Sequence, residues 1–289
     1  MSAPQGESEV TAQVLEPPRR SRWRRFSPSM GWRAFWSEIV IVVLGVVIAL
    51  AANEAVQDSS WRNKVEDAEA RLQGDIAWTF LWDAERYATH PCVDAQLAAL
   101  GRKVLESGQT LDRAPVLFAN EVNYVVRIPN RPYRFPAWDS LVADGTATHF
   151  SLKRQAFLGR INDAMAGARE SQAETRRLMG RLLVMRDPIA LDPVVRADLL
   201  TAVNDLRSTS DFEALNALQR MRAIADAGSA PRADVVDAFL DGSDPTRAAS
   251  ESSGSMKFCK ARGLPSAPWR DFERASVSTG FEPGARTAK

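Results

Sequence analysis

Two sets of side chains in this sequence have the types and spacing to do chemistry. The first is a short arginine and aromatic segment. Arg127, Arg131 and Arg134 alternate there with Tyr124, Tyr133, Phe135 and Trp138. A guanidinium fork binds a carboxylate or phosphate through paired N–H donors, and an aromatic face beside it adds a stacking surface. Arg127, Arg131, Arg134, Tyr133 and Trp138 are therefore the candidate ligand-binding residues. The competing reading is an irregular loop whose arginines are solvated. The second set is the cysteine pair, Cys92 and Cys259, the latter in the apolar island Met256-Lys257-Phe258-Cys259. In an oxidising compartment the two would tie a loose C-terminal stretch back to the rest of the chain. Two free or intermolecular thiols are the alternative.

Other reactive types are sparse. His90 precedes a proline at an expected helix start and His149 lies in a threonine-rich turn, positions that suit capping or surface roles. Glu66, Asp67 and Glu69 form a charge run of the kind found on a solvated helix face. The sequence holds no glycine-rich phosphate loop, no His-Glu-x-x-His, no Cys-x-x-Cys and no nucleophile elbow. The expectation is a non-enzyme without cofactor or metal site. A net charge of +1 argues against a dedicated nucleic-acid binder.

The elements that must position these residues begin at a membrane. Arginine outnumbers lysine 31 to 6, and Arg19, Arg20, Arg22, Arg24, Arg25 and Arg33 crowd one side of the longest apolar run. That run, Ile39 to Ala52, has 14 residues, or ~21 Å of helix at ~1.5 Å per residue. A hydrocarbon core of ~30 Å needs about 20 residues. Trp32, Phe35 and Trp36 on one flank, and Ala55 and Val56 on the other, supply the missing length, with the tryptophans at headgroup level. Residues 34–54 read as the transmembrane helix and residues 1–33 as a disordered, basic cytoplasmic segment. The arginine asymmetry predicts a cytoplasmic N-terminus and an exported C-terminal domain. A signal peptide cleaved after Ala49-Leu50-Ala51 is the competing reading. Gly45 and Ala49 form a small-x-x-x-small pair that would let two spans pack as a homodimer.

The stretch Glu38 to Glu54, EIVIVVLGVVIALAANE, resembles the N-terminal span of a group of bacterial single-pass membrane proteins. In that group an acidic residue, an aliphatic run with one glycine and an Ala-Leu-x-x-Asn-Glu or Asn-Trp ending lead into a charged helix. Trp138, Leu141 and Gly145, in PAWDSLVADGTATHFS, are similar to its turn before a long central helix. The resemblance covers roughly residues 33–226 and implies an anchored, helical extracytoplasmic domain. The group has no established activity, so the resemblance implies no reaction.

Beyond the span, periodicity is helical. Val65, Ala68, Leu72 and Ile76 form one stripe, widened by Trp78, Phe80, Leu81 and Trp82. Pro91 predicts the start of a second helix with a stripe at Val93, Leu97, Leu100 and Val104. Residues 116–128 fit a short helix or a strand, and a short helix follows at Trp138–Ala143. Ser151 caps a long helix whose stripe includes Leu152, Ala156, Ile161 and Met165. Asp192-Pro193 opens another, and Ser210 to Glu213 reads as the capping box of one more. The expected fold is all-α, an N-terminal transmembrane helix followed by an antiparallel bundle over residues 55–228. Residues 229–289 read as a mostly flexible tail with a short helix and the Cys259 anchor. Two functions fit: an anchored module acting on a membrane or envelope protein partner or on itself, and a sensor-like domain with the arginine and aromatic loop as its pocket.

Overall fold

The computed structural model describes residues 32–115, 117–119, 122–243 and 252–273. Arg19, Arg20, Arg22, Arg24 and Arg25 lie outside these residues, as does the side chain of Arg33. The chain is helical, with two minor strand ladders. It divides into two units between Gln57 and Asp58.

The first helix, α1 (Trp32–Glu106), runs through both units. In the first unit its apolar side chains are exposed all round: Val40, Ile41, Leu44, Val47 and Ile48 lie open. This stretch is long and apolar enough to cross a membrane. Trp32, Phe35 and Trp36 cluster at its start, with the Trp32 and Trp36 rings edge to face at 5.9 Å.

The second unit holds two apolar cores, and α1 contributes to both. Ala68, Leu72, Ile76, Phe80 and Ala84 face the first, Val93, Leu97, Leu100 and Val104 the second. Pro91 sits between these stripes, inside the helix. The expected break there does not occur. An interior proline lacks an N–H and costs about 3 kcal/mol, yet buried side chains on both sides of it hold the helix in line. Close by, the Ala88 carbonyl also accepts the N–H of Ala267 at 2.9 Å.

After α1 come β1 (Thr110–Leu111), β2 (Leu117–Ala119), β3 (Val122–Tyr124) and α2 (Pro136–Ala143). β2 and β3 pair antiparallel, Leu117 opposite Tyr124, so the ambiguous 116–128 stretch contains strands at 117–119 and 122–124 rather than a helix. Gly145 then takes φ 81°, a left-handed conformation that glycine adopts without strain. The long helix α3 (Leu152–Leu182) starts where Ser151 Oγ accepts the Arg154 N–H at 3.2 Å. Its buried face is led by Phe157, Leu158, Ile161 and Met165, whereas Leu152, counted in the expected stripe, is 83% exposed. β4 (Ile189–Ala190) pairs with β1. α4 (Pro193–Asp226) begins at Asp192, whose carboxylate accepts two N–H groups at 2.8 Å. It then runs unbroken past the expected capping box. Ser210 and Glu213 are buried on its inner face, so packing there overrides the local stop signal.

The C-terminal stretch departs most from the expectation of a mostly flexible tail. α5 (Ala233–Asp241), α6 (Gly254–Ala261) and a 3₁₀ turn at Trp269–Glu273 place Phe239, Met256, Trp269 and Phe272 in the first core. Trp269 and Phe272 both meet the Phe80 ring edge to face, at 6.0 and 5.8 Å. Few but large side chains anchor a sequence whose composition is polar and loose.

Candidate functional site

The middle of α1 carries three buried charges among apolar neighbours: Asp83, Glu85 and Arg86 are all at most 3% exposed. Each has a counter-ion from another element. Arg220 of α4 grips Asp83 with two bonds, Nε to Oδ2 at 3.0 Å and Nη2 to Oδ1 at 2.6 Å. Arg131 grips Glu85 in the same way, at 2.6 and 3.1 Å. Arg86 pairs with Glu213 of α4 and donates to the Pro129 carbonyl at 2.6 Å. The Tyr133 hydroxyl donates to Asp83 at 2.9 Å, and Ser253 Oγ donates to Glu85 at 2.7 Å. Pairing with an opposite charge is what lets charges persist inside a core.

Burial acts strongly on Asp83, Tyr133 and Arg220. It pushes the Asp83 carboxyl above the ordinary aspartate range, and Arg220 and Tyr133 pull it back only in part. It also raises the Tyr133 phenol, with the adjacent Asp83 charge adding to the effect. For Arg220 burial works against the charge, but Asp83 beside it reverses this and raises the guanidinium further. The network therefore fixes the 127–135 segment onto α1 and α4.

A cleft of about 810 Å³ opens where this segment meets α3. One wall is the loop carrying Arg127, Pro129 and Arg131. The second is the α3 face from Gln172 to Gly180, continued by Leu183. The third is the start of α6, from Ser252 to Ser255. Arg127 is held through its backbone, its N–H donating to Gln96 Oε1 at 2.8 Å and its carbonyl accepting from Gln96 Nε2 at 3.3 Å. Gln96 Nε2 also reaches the Cys92 carbonyl at 3.2 Å. Cys92 and Cys259 stand at disulfide distance, with sulfurs 2.08 Å and Cα atoms 6.0 Å apart. The link joins α6 to α1 and so secures the third wall beside the residue that holds the first.

Of the five ligand candidates, Arg127 and Arg131 reach the cleft. Arg131 arrives with its guanidinium bound to Glu85 and to the Ser252 carbonyl at 3.2 Å. Tyr133 is buried in the ionic network, Arg134 is exposed, and Trp138 is half-buried against the first core; none of the three lines the cleft. Gln172 and Arg176 of α3 do line it, and sequence reading missed both. Their only signal is a 4-residue spacing that puts them on one helix face. His90 bonds Asp211 at 2.7 Å, and the His149 ring stacks on Trp61 at 3.9 Å, both away from the cleft. Glu69 is bound by Arg154 at 2.6 Å. Among the described residues no group of His, Cys, Asp or Glu could hold a metal ion.

No family model, curated protein or solved structure matches the chain.

Proposed function

We propose that this chain is a single-pass membrane protein whose helical domain works by binding rather than by making or breaking bonds. Residues 34–54 form the retained span, with the N-terminus in the cytoplasm of a bacterium. Residues from 55 onward form an antiparallel bundle in the periplasm, as in the group whose span the Glu38–Glu54 sequence resembles. The reading rests on one observation, the run of apolar side chains left open along the start of α1. The arginines before it supply the orientation, and the cysteine pair suits an oxidising compartment.

In this reading the domain acts on an envelope protein partner or on a second copy of itself. Gly45 and Ala49 lie one turn apart on the open part of α1, and a Cβ at Gly45 would meet nothing within 4 Å. A partner helix could therefore approach closely there. Gly45→Leu should weaken self-association in a membrane two-hybrid assay, and an unchanged signal removes the span as the contact. Purification of the intact protein from membranes in mild detergent tests the wider reading. A monomer with no stoichiometric companion under those conditions sinks it.

A second reading is favoured by the cleft: a sensor-like domain that takes a small ligand between the Arg127 loop, α3 and α6. Its output would pass through a partner.

A further inference from the structure

We propose that this cleft binds a small amphiphilic anion, with Arg127, Gln172 and Arg176 receiving a single carboxylate or phosphate head and the far end of the α3 face receiving an apolar body. The proposal rests on the ligand-binding reading above and specifies its ligand.

The first argument concerns hydrogen bonds. Among the described residues, four buried side-chain atoms lack a hydrogen-bond partner: Arg86 Nη1, Glu213 Oε2, Arg127 Nε and Gln172 Nε2. The first two face each other as an ion pair. The other two are donors of residues that line the cleft, and Gln172 also borders a smaller cavity beside Arg86 and Glu213. Gln172 is only 4% exposed, so its amide has little recourse to bulk water. A bare buried donor is destabilising, and natural cores rarely leave one without a reason. Both atoms are shielded from the cleft as they stand, so a ligand acceptor removes the penalty when the two side chains turn toward it.

The second argument concerns charge. Glu85 is the one acid among the described residues lining the cleft, and Arg131 and Ser253 already engage both of its oxygens. Arg127 has no carboxylate partner among the described residues. Arg176 makes one long bond, to Asn130 at 3.4 Å, and is otherwise open. Among the described residues the uncompensated charge of the cleft is positive, and guanidinium groups select carboxylate or phosphate.

The third argument is the gradient along α3. Gln172, Thr175 and Arg176 are followed on the same face by Met179, Gly180 and Leu183. The 11 positions from Gln172 to Leu183 span ~16 Å at ~1.5 Å per residue. Ile128 and Pro129 add apolar surface from the facing loop. A volume of about 810 Å³ lies within the ~300–1,000 Å³ usual for small-molecule sites. A bare inorganic anion would leave most of it unused.

Titration calorimetry on the full chain, oxidised and held in nanodiscs of zwitterionic phosphatidylcholine, tests this, with empty nanodiscs subtracted. The probes are 2-naphthoate, 2-naphthyl phosphate, neutral 2-naphthamide, acetate and inorganic phosphate. At least one naphthyl anion should bind at one site, at least ~10-fold tighter than naphthamide and than its own bare head group. Whichever of the two binds tighter names the head as carboxylate or phosphate. Arg127→Gln and Gln172→Leu should each weaken that anion ~10-fold and leave naphthamide unchanged. Arg176→Gln, at an exposed position, gives the same comparison should either variant fail to fold. Naphthamide binding as tightly as the anions overturns the anionic head while leaving the cleft a ligand site. Acetate or inorganic phosphate binding as tightly as its naphthyl counterpart overturns the apolar half. No binding by any probe overturns this proposal and the ligand-binding reading together.

Discussion

Cutting the link between Cys92 and Cys259 should destabilise the second unit without unfolding it. The cysteines are 167 residues apart in sequence, and both are fully buried, at 0% and 1% exposure. In the unfolded chain the cross-link closes a loop that would otherwise be free. The chain-entropy relation puts that constraint at about 5 kcal/mol near 25 °C, an upper figure because residual unfolded structure lowers it. Replacing both cysteines with alanine also leaves small voids, each costing on the order of 1 kcal/mol. Working the other way, Met256, Trp269 and Phe272 keep their places in the first core, so α6 and the 3₁₀ turn remain docked. The expected loss for Cys92→Ala/Cys259→Ala is about 3–5 kcal/mol. At ~2–4 °C per kcal/mol for a domain of this size, Tm falls by roughly 6–20 °C. Urea unfolding of the full chain in detergent, followed by far-UV circular dichroism, measures it on oxidised wild type, reduced wild type and the double variant. Reduced wild type should fall close to the variant, and the helical spectrum of all three should match before the transition. An oxidised wild type within about 1 kcal/mol of the reduced wild type would refute the reasoning, because the cross-link would then be constraining nothing.

Three further outcomes follow from polar and charged side chains of the second unit. Arg220→Ala strands the Asp83 charge and should cost about 3–5 kcal/mol. Burial already raises Asp83, and losing Arg220 raises it more, so the folded state binds the proton more tightly than the unfolded one. The variant's stability therefore falls as pH rises from the ordinary aspartate range through the raised value; the deficit should be smaller near about pH 5 than near about pH 8 in urea titrations, and a pH-independent deficit counts against the assignment. Asp237 shows the opposite sign. The Trp269 indole N–H at 2.7 Å, then Arg270, hold its carboxyl below the usual range. Its contribution is present above the ordinary aspartate value and fades as pH falls through the lowered one. The indole N–H NMR signal of Trp269 should shift there in wild type and stay flat in Asp237→Asn. Finally, Gln172→Leu removes a buried donor that lacks a partner among the described residues, and should stabilise the ligand-free chain by about 1 kcal/mol in the same urea assay. A loss of stability would show that this amide is satisfied in the folded protein.

Features set by near neighbours in sequence were legible. The stripes Ala68-Leu72-Ile76 and Val93-Leu97-Leu100-Val104 are core because helix geometry alone puts them on one face. The caps at Ser151 and Asp192 involve N–H groups no more than three residues away. What escaped depends on distant partners. Pro91 is a legitimate helix start locally, and only burial on both sides of it keeps α1 continuous. Ser210 to Glu213 has the letters of a capping box, but Glu213 is engaged by Arg86, far away in sequence. Asp83, Glu85 and Arg86 left one readable trace, three charges inside an otherwise apolar sector of α1, although their counter-ions could not be assigned from spacing. The loop segment was singled out for its arginines, yet what its residues do is decided by α1. Glu85 takes Arg131, Asp83 takes Tyr133, and Arg127 remains for the cleft. Gln172 and Arg176 look like any other polar positions on a long helix until the loop is placed opposite them.

The central claim is that the start of α1 anchors an exported domain. Alkaline-phosphatase fusions made after residue 70 and at later positions, read together with the N-terminal sequence of the membrane-bound protein, test it most directly. The account predicts active phosphatase at every such junction and an uncleaved N-terminus ahead of the span. Inactive fusions would place the domain in the cytoplasm. A mature chain beginning near Ala52 would turn the anchor into a signal peptide.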